Sequence, residues 1–172
     1  MSTETGEIRI YAACLAAYNN DILYGRWIDA TQDVQTIMEE IAAMLRASPM
    51  DDAEEWGIHD FEGFESLSLA EYEPIGHVSE LATFIRYHGR LGAKVYEYYG
   101  SIDDAEDALN DHYAGAYRTS AEFVRDMVEQ STNIPEQIQY YVDWEAMARD
   151  WEINDILAIE TAFECVHVFW RH

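Results

Sequence analysis

The stretch IRIYAACLAAYNNDILYGRWIDATQDVQTIMEEIAAML, residues 8–45, decides the fold class. Its opening run, residues 8–13, reads as a strand, and Asn19, Asn20 and Asp21 supply the residue types that tolerate a tight turn. A second strand-like run, YGRWID, covers residues 24–29. Thr31 is then expected to cap a helix, because Val34, Ile37, Ile41 and Leu45 recur on one helical face. Ser48 and Pro49 end that helix. After an acidic loop at residues 51–55, WGIHDF at residues 56–61 returns as a strand to the same small sheet. Strand, strand, helix, strand is an α+β unit.

Beyond residue 63 the pattern changes to helical stretches divided by Pro74, Gly76, Gly89, Gly92 and Gly100. Val78, Leu81, Ile85 and His88 share one face, and Leu91, Val95 and Tyr98 share another. Ser101 opens a third segment with an S-x-x-D box to Asp104, and Ile102, Ala105 and Leu109 form its narrow apolar edge. From His112 the strand–cap–helix pattern recurs: HYAGAYRT alternates, Thr119 boxes with Glu122, and a helix follows through Phe123, Met127 and Val128. Gly115, Tyr117 and Thr119 echo Gly25, Trp27 and Thr31, a possible repeat. Pro135 then opens a helix expected to run through YYVDWEAMARDWE, residues 140–152, with Glu136, Asp143 and Asp150 in one stripe. Glu145 and Glu152 form another. Tyr141, Trp144, Ala148 and Trp151 are its anchors, and Glu145 is placed to pair with Arg149. ILAIET and ECVHVFW supply closing strands.

Charge is the strongest compositional signal. Acids outnumber bases 34 to 10 in 172 residues, a formal charge of −24, and Lys94 is the only lysine. The 49% hydrophobic and 13% aromatic content argues for a folded core despite that charge. Self-repulsion at this level works against compactness, so the acids serve solubility, salt tolerance or a basic partner, and direct nucleic-acid binding is excluded. No apolar run is long enough to span a membrane, and MSTETGEIRI lacks the features of a signal peptide, so a cytoplasmic location is expected. Cys14 and Cys165 each sit in an apolar run and read as buried free thiols.

The acids fall in groups. Asp103, Asp104, Glu106, Asp107 and Asp111 occupy one short helix, where the 103–107 and 107–111 spacings repel by roughly 0.2–0.5 kcal/mol each. Glu62, Glu65, Glu71 and Glu73 interleave with Phe61, Phe64 and Tyr72. With Asp143 and Asp150 these are the candidate contacts for an external cationic surface. Neither acidic loop has the spacing of a calcium site, the histidines form no zinc motif, and GRLGAK lacks the spacing and preceding strand of a phosphate loop. No metal, cofactor or catalytic residue is expected. A carboxylate-pair hydrolase, a halophilic enzyme and an acidic module for another basic DNA-binding protein are the rival readings.

Three blocks, LAAYNNDILYGRWIDA at residues 15–30, EEWGIHDFEGF at 54–64 and YYVDWEAMARDWE at 140–152, resemble those of the ArdA antirestriction proteins, in the same order. That family consists of DNA mimics, carried on mobile genetic elements, that inhibit type I restriction-modification enzymes. The resemblance implies three small domains in a row and a curved homodimer joined through the C-terminal domains. The expected division is an α+β domain at 1–62, a helical domain at 63–105 and an α+β domain at 106–172. The implied partner is the methyltransferase core of a type I enzyme, and no enzymatic activity is implied. A duplex carries one charge per roughly 1.7 Å, so two chains with about 48 net charges match about 80 Å of it.

Overall fold

In the computed structural model, which describes residues 6–172, alternation along the first strand sets the N-terminal sheet. Within β1 (Arg9–Cys14), Ile10, Ala12 and Cys14 are fully buried, whereas Arg9 and Tyr11 lie half-buried on the opposite face. β1 continues into a single helical turn, α1 (Leu15–Tyr18), and pairs antiparallel with both β2 (Gly25–Asp29) and β3 (Trp56–Glu62), giving the order β2-β1-β3. The register slips on β3: Tyr11 faces Asp60, but Ala12 faces Ile58, so His59 is the extra residue of a bulge. α2 (Val34–Arg46) covers the sheet with Ile37, Ile41 and Met44.

Asp33, not Thr31, caps α2. The Asp33 carboxylate accepts the Thr36 N–H at 2.8 Å, whereas Thr31 donates to Asp29 from both its N–H and its hydroxyl. The bond from Thr36 holds the Asp33 carboxyl below its ordinary pKa. α2 also buries Met44 where Leu45 was expected.

The chain divides into two compact units after Ala93, and the boundary falls within α3 (Ile75–Tyr99). That long helix is interrupted at Gly89, whose φ of 63° and ψ of −147° are open to a residue without Cβ. Its first part buries Val78, Leu81, Ala82, Phe84 and Ile85, and the Ser79 hydroxyl donates to the Gln32 carbonyl at 2.7 Å.

In the second unit, α4 (Ile102–Asp107) runs into a π-helical turn, Ala108–His112, and then β4 (Tyr113–Tyr117), α5 (Ser120–Ser131), α6 (Glu136–Gln139), α7 (Trp144–Asn154), β5 (Ile156–Ala162) and β6 (Cys165–Trp170) follow. The sheet order is β4-β6-β5, all antiparallel. Phe123, fully buried on α5, is ringed by Tyr117, Trp151 and Trp170 at centroid distances of 5.0, 6.4 and 5.4 Å. Val124, Ala148, Ile156 and Val168 complete this core.

The two sheets do not repeat one another. The first strand of its unit is central in one sheet and the last strand is central in the other, so the echo between residues 25–31 and 115–119 is local strand-to-helix chemistry. Thr119 and Ser101 do act as caps, accepting the Glu122 and Asp104 N–H groups at 3.1 Å each.

The expected continuous helix through residues 140–152 is broken. α6 stops at Gln139, a turn follows, and α7 begins after Asp143, so Glu136 shares no helix with Asp143 and Asp150. Tyr141 is 81% exposed and anchors nothing in its unit, and no ion pair joins Glu145 to Arg149. Cys14 and Cys165 are free thiols, Cys14 buried and Cys165 only half-buried. Met1–Thr5, part of the stretch read for a leader, lie outside the described residues. Among the described residues no helix is long and apolar enough to cross a membrane.

Candidate interaction surface

Each unit carries 17 of the 34 acids and five of the ten bases, so the charge is divided evenly, −12 in each. The acidity is thus built into both folded units and is not a tail. The candidate acids separate into those with a cationic partner in their own unit and those with none among the described residues.

In the first unit every candidate has a partner. Glu62, at the end of β3, accepts from Arg9 Nε at 2.8 Å, and the Arg9 guanidinium lies 4.4 Å above the Trp27 ring. The hydrogen bond to Glu62 raises the Arg9 pKa and so favours its charged form. Glu65 sits at φ +54° with Arg90 Nε 4.0 Å away. Glu71 Oε1 meets His59 Nε2 at 2.9 Å. Glu73 accepts the Ala70 N–H at 3.1 Å and lies 3.9 Å from His77 Nε2.

The second unit holds the other class. Asp103, Asp104, Glu106, Asp107 and Asp111 are all exposed, and no ion pair forms at any of them. Asp104 accepts the Ser101 hydroxyl at 2.8 Å, which ties its side chain to the cap residue. Ile102, Ala105 and Ala108 are buried, which turns the intervening acids outward. Ala108 replaces Leu109 on that edge, and the wider π turn removes Asp107 and Asp111 from the α-helical i, i+4 relation read from spacing alone. Arg171 lines a cavity with Asp104 and Asp107. Its donors go to the Ile156 carbonyl at 2.8 Å, the Tyr98 hydroxyl at 2.9 Å and the Glu152 carbonyl at 3.1 Å.

At 1.5 Å per residue, Asp103 to Asp111 spans roughly 12 Å. Five carboxylates over that length stand on average about 3 Å apart along the axis, sparser than the duplex value of one charge per roughly 1.7 Å, so other acidic elements must add to the run. Asp143 serves as the N-cap of α7, its Oδ1 accepting the Ala146 N–H at 3.0 Å, and stays exposed, as does Asp150 about two turns further on.

Asp60 was not among the candidates. The bulge at His59 brings His59 and Asp60 into one groove of about 610 Å³ with Tyr11, Tyr18 and Glu71. The available signal was the Gly57 and His59 pair within WGIHDF: an added Cβ at Gly57 would stand 2.8 Å from Glu71 Cγ, so only glycine leaves room for that side chain.

Among the described residues, no group of three or more His, Cys, Asp or Glu is arranged to hold a metal ion. What the geometry defines is a mixed α+β protein with two small three-stranded sheets and an acidic surface held by caps, ion pairs and aromatic anchors. The model of one family, described as Antirestriction protein (ArdA), matches residues 10–165, and the chain belongs to that family. No curated protein matches the chain.

Proposed function

We propose that this antirestriction protein acts as a mimic of B-form DNA, occupying the DNA-binding groove of a type I restriction-modification enzyme at its methyltransferase core. Restriction is blocked, and modification with it. The observation that carries this reading is the run from Asp103 to Asp111, five exposed carboxylates on one short helical element with no ion pair among the described residues. Lysines and arginines that accept phosphates accept such carboxylates through the same charge-assisted hydrogen bonds. Short Asp and Glu side chains close to a packed backbone lose little freedom on binding. The action is stoichiometric and not enzymatic, needs no cofactor, and takes place in the cytoplasm.

The three-part division at 1–62, 63–105 and 106–172 and a homodimer through the C-terminal part belong to the same proposal. Support for the dimer comes from the face of β4-β6-β5 turned away from α5 and α7, where Ile159 and His167 are half-buried, and from Phe163, 87% exposed at the β5–β6 turn.

The test is a titration of the protein into a type I methyltransferase with labelled duplex at two salt concentrations. Displacement of the duplex at low salt, weakening as salt rises, is expected. A duplex that stays bound at stoichiometric excess and low salt refutes the reading.

A further inference from the structure

The outer face of the N-terminal sheet already shows how this protein holds a guanidinium. Arg9 lies over the Trp27 ring at 4.4 Å and donates to Glu62 at 2.8 Å, one aromatic face and one carboxylate for one cation. Trp27 is tilted against Tyr11 at a centroid distance of 5.4 Å, and Tyr11 forms a wall of the adjoining groove. There the same two ingredients recur without an arginine or lysine among the lining residues: the rings of Tyr11 and Tyr18, and the carboxylates of Asp60 and Glu71.

The groove is constructed by several independent features. The bulge on β3 puts His59 and Asp60 beside Tyr11. The Glu71 carbonyl accepts the Ile58 N–H at 2.8 Å, which fixes its backbone against β3. Gly57 clears the path for the Glu71 side chain, and His59 holds Oε1 at 2.9 Å. Tyr18 packs edge-on to His59 at 4.7 Å. Glu71 is therefore oriented before any partner arrives, held through Oε1 by His59.

We infer that this groove is a binding site for a guanidinium side chain, with Glu71 and Asp60 as counter-ions and Tyr11 and Tyr18 as the aromatic faces. The occupant is an arginine presented by the basic surface of the target enzyme, so the inference rests on the proposed function. The charge argument favours a cation, and a planar guanidinium fits flat ring faces better than a strongly hydrated ammonium does. It makes the groove a point of shape-specific contact within an otherwise charge-driven interface.

Two measurements test it separately from that reading. In an NMR titration of the full chain, N-acetyl-arginine amide is expected to give saturable shifts at the Tyr18 and His59 resonances, weaker with N-acetyl-lysine amide and lost in Glu71→Gln. Absence of saturable shifts, or equal shifts in Glu71→Gln, overturns the site whether or not the protein inhibits any enzyme. In the methyltransferase displacement assay, Tyr18→Leu removes no charge, yet should raise the half-displacing concentration by about 10-fold, with Tyr18→Phe retaining wild-type potency. Folded Tyr18→Leu that inhibits as well as wild type overturns the inference while leaving the mimic reading intact. Loss of self-association by Tyr18→Leu in sedimentation would identify a second copy as the occupant and also overturn it.

Discussion

Asp143 has two separable roles, and substituting it in two ways distinguishes them. Its Oδ1 accepts the Ala146 N–H at 3.0 Å, starting α7, and α7 carries Ala148 together with Trp144, Met147 and Trp151 onto the Phe123 core. Asp143→Ala leaves that N–H without its cap, a loss of about 1 kcal/mol. For a unit the size of residues 94–172, that corresponds to a melting shift of roughly 4–8 °C. Asp143→Asn keeps an acceptor at the cap, since Asn ranks with Asp there, and should melt within about 2 °C of wild type. Both changes remove the same charge. In the displacement assay the two variants should therefore weaken inhibition alike, although their stabilities differ. Thermal unfolding followed by tryptophan fluorescence reads the first effect, because Trp144, Trp151 and Trp170 all border that core. Equal melting of the Asn and Ala variants would refute the capping argument, and inhibition that tracks melting instead of charge would remove Asp143 from the contact surface.

Other substitutions probe the parts that position the surface. Phe123→Ala, at a fully buried site ringed by three aromatics, should cost about 3–5 kcal/mol in chemical denaturation, and a loss under about 1 kcal/mol would contradict the core described. Gly57→Ala sets a methyl against Glu71 Cγ at 2.8 Å, so the Glu71–His59 pair should separate while the sheet survives; an unchanged His59 ring environment by NMR would count against it. His167 is held below its ordinary pKa of 6.5 by burial, so the unfolded chain binds the proton more readily than the folded one. Stability from this group is complete above that value and falls as the pH drops below it. His167→Gln should flatten the acid limb below about pH 6.5, and identical wild-type and variant slopes there would exclude the effect.

All six strands were legible in sequence to within a residue or two, because β-branched and aromatic alternation bounded by Asn, Asp or Gly is a local signal. The Ser101 and Thr119 caps were legible for the same reason. Long-range features were not. Strand order depends on which strand each unit places centrally, and nothing in local pattern distinguishes β1 from β6 in that respect. The helix through residues 140–152 was misread because its acids keep a seven-residue spacing across a turn, and spacing alone does not register that Asp143 faces the Ala146 N–H as a cap. Thr31 lost its place to Asp33 because Asp29 engages its hydroxyl first. Among the acids, exposure of residues 103–111 followed from the buried positions Ile102 and Ala105, whereas the partners of Glu62 and Glu71 lie on distant strands. Asp60 was overlooked since a bulge re-aims side chains without any compositional mark.

The acids without partners carry a further consequence for stability. Asp107 lies where α4 runs on into the π-helical turn, one α-helical turn from Asp103, which repels it. That repulsion is worth about 0.2–0.5 kcal/mol at low ionic strength, acting against the fold. Asp107→Asn should therefore stabilise the protein at low salt and weaken inhibition. Asp104→Asn behaves differently, because Asp104 lies in the first turn of α4, where the helix macrodipole favours its charge, so neutralising it removes a favourable term. Salt should narrow the gap between wild type and Asp107→Asn, as the repulsion is screened at exposed sites. A mimic whose charges were placed for its own stability would show the reverse, with Asp107→Asn less stable at every ionic strength. A destabilised Asp107→Asn would return the run from Asp103 to Asp111 to an ordinary solvated face. A stabilised but weaker inhibitor would mean that the binding surface is maintained at the expense of the fold, and that a cationic target relieves the repulsion when it binds.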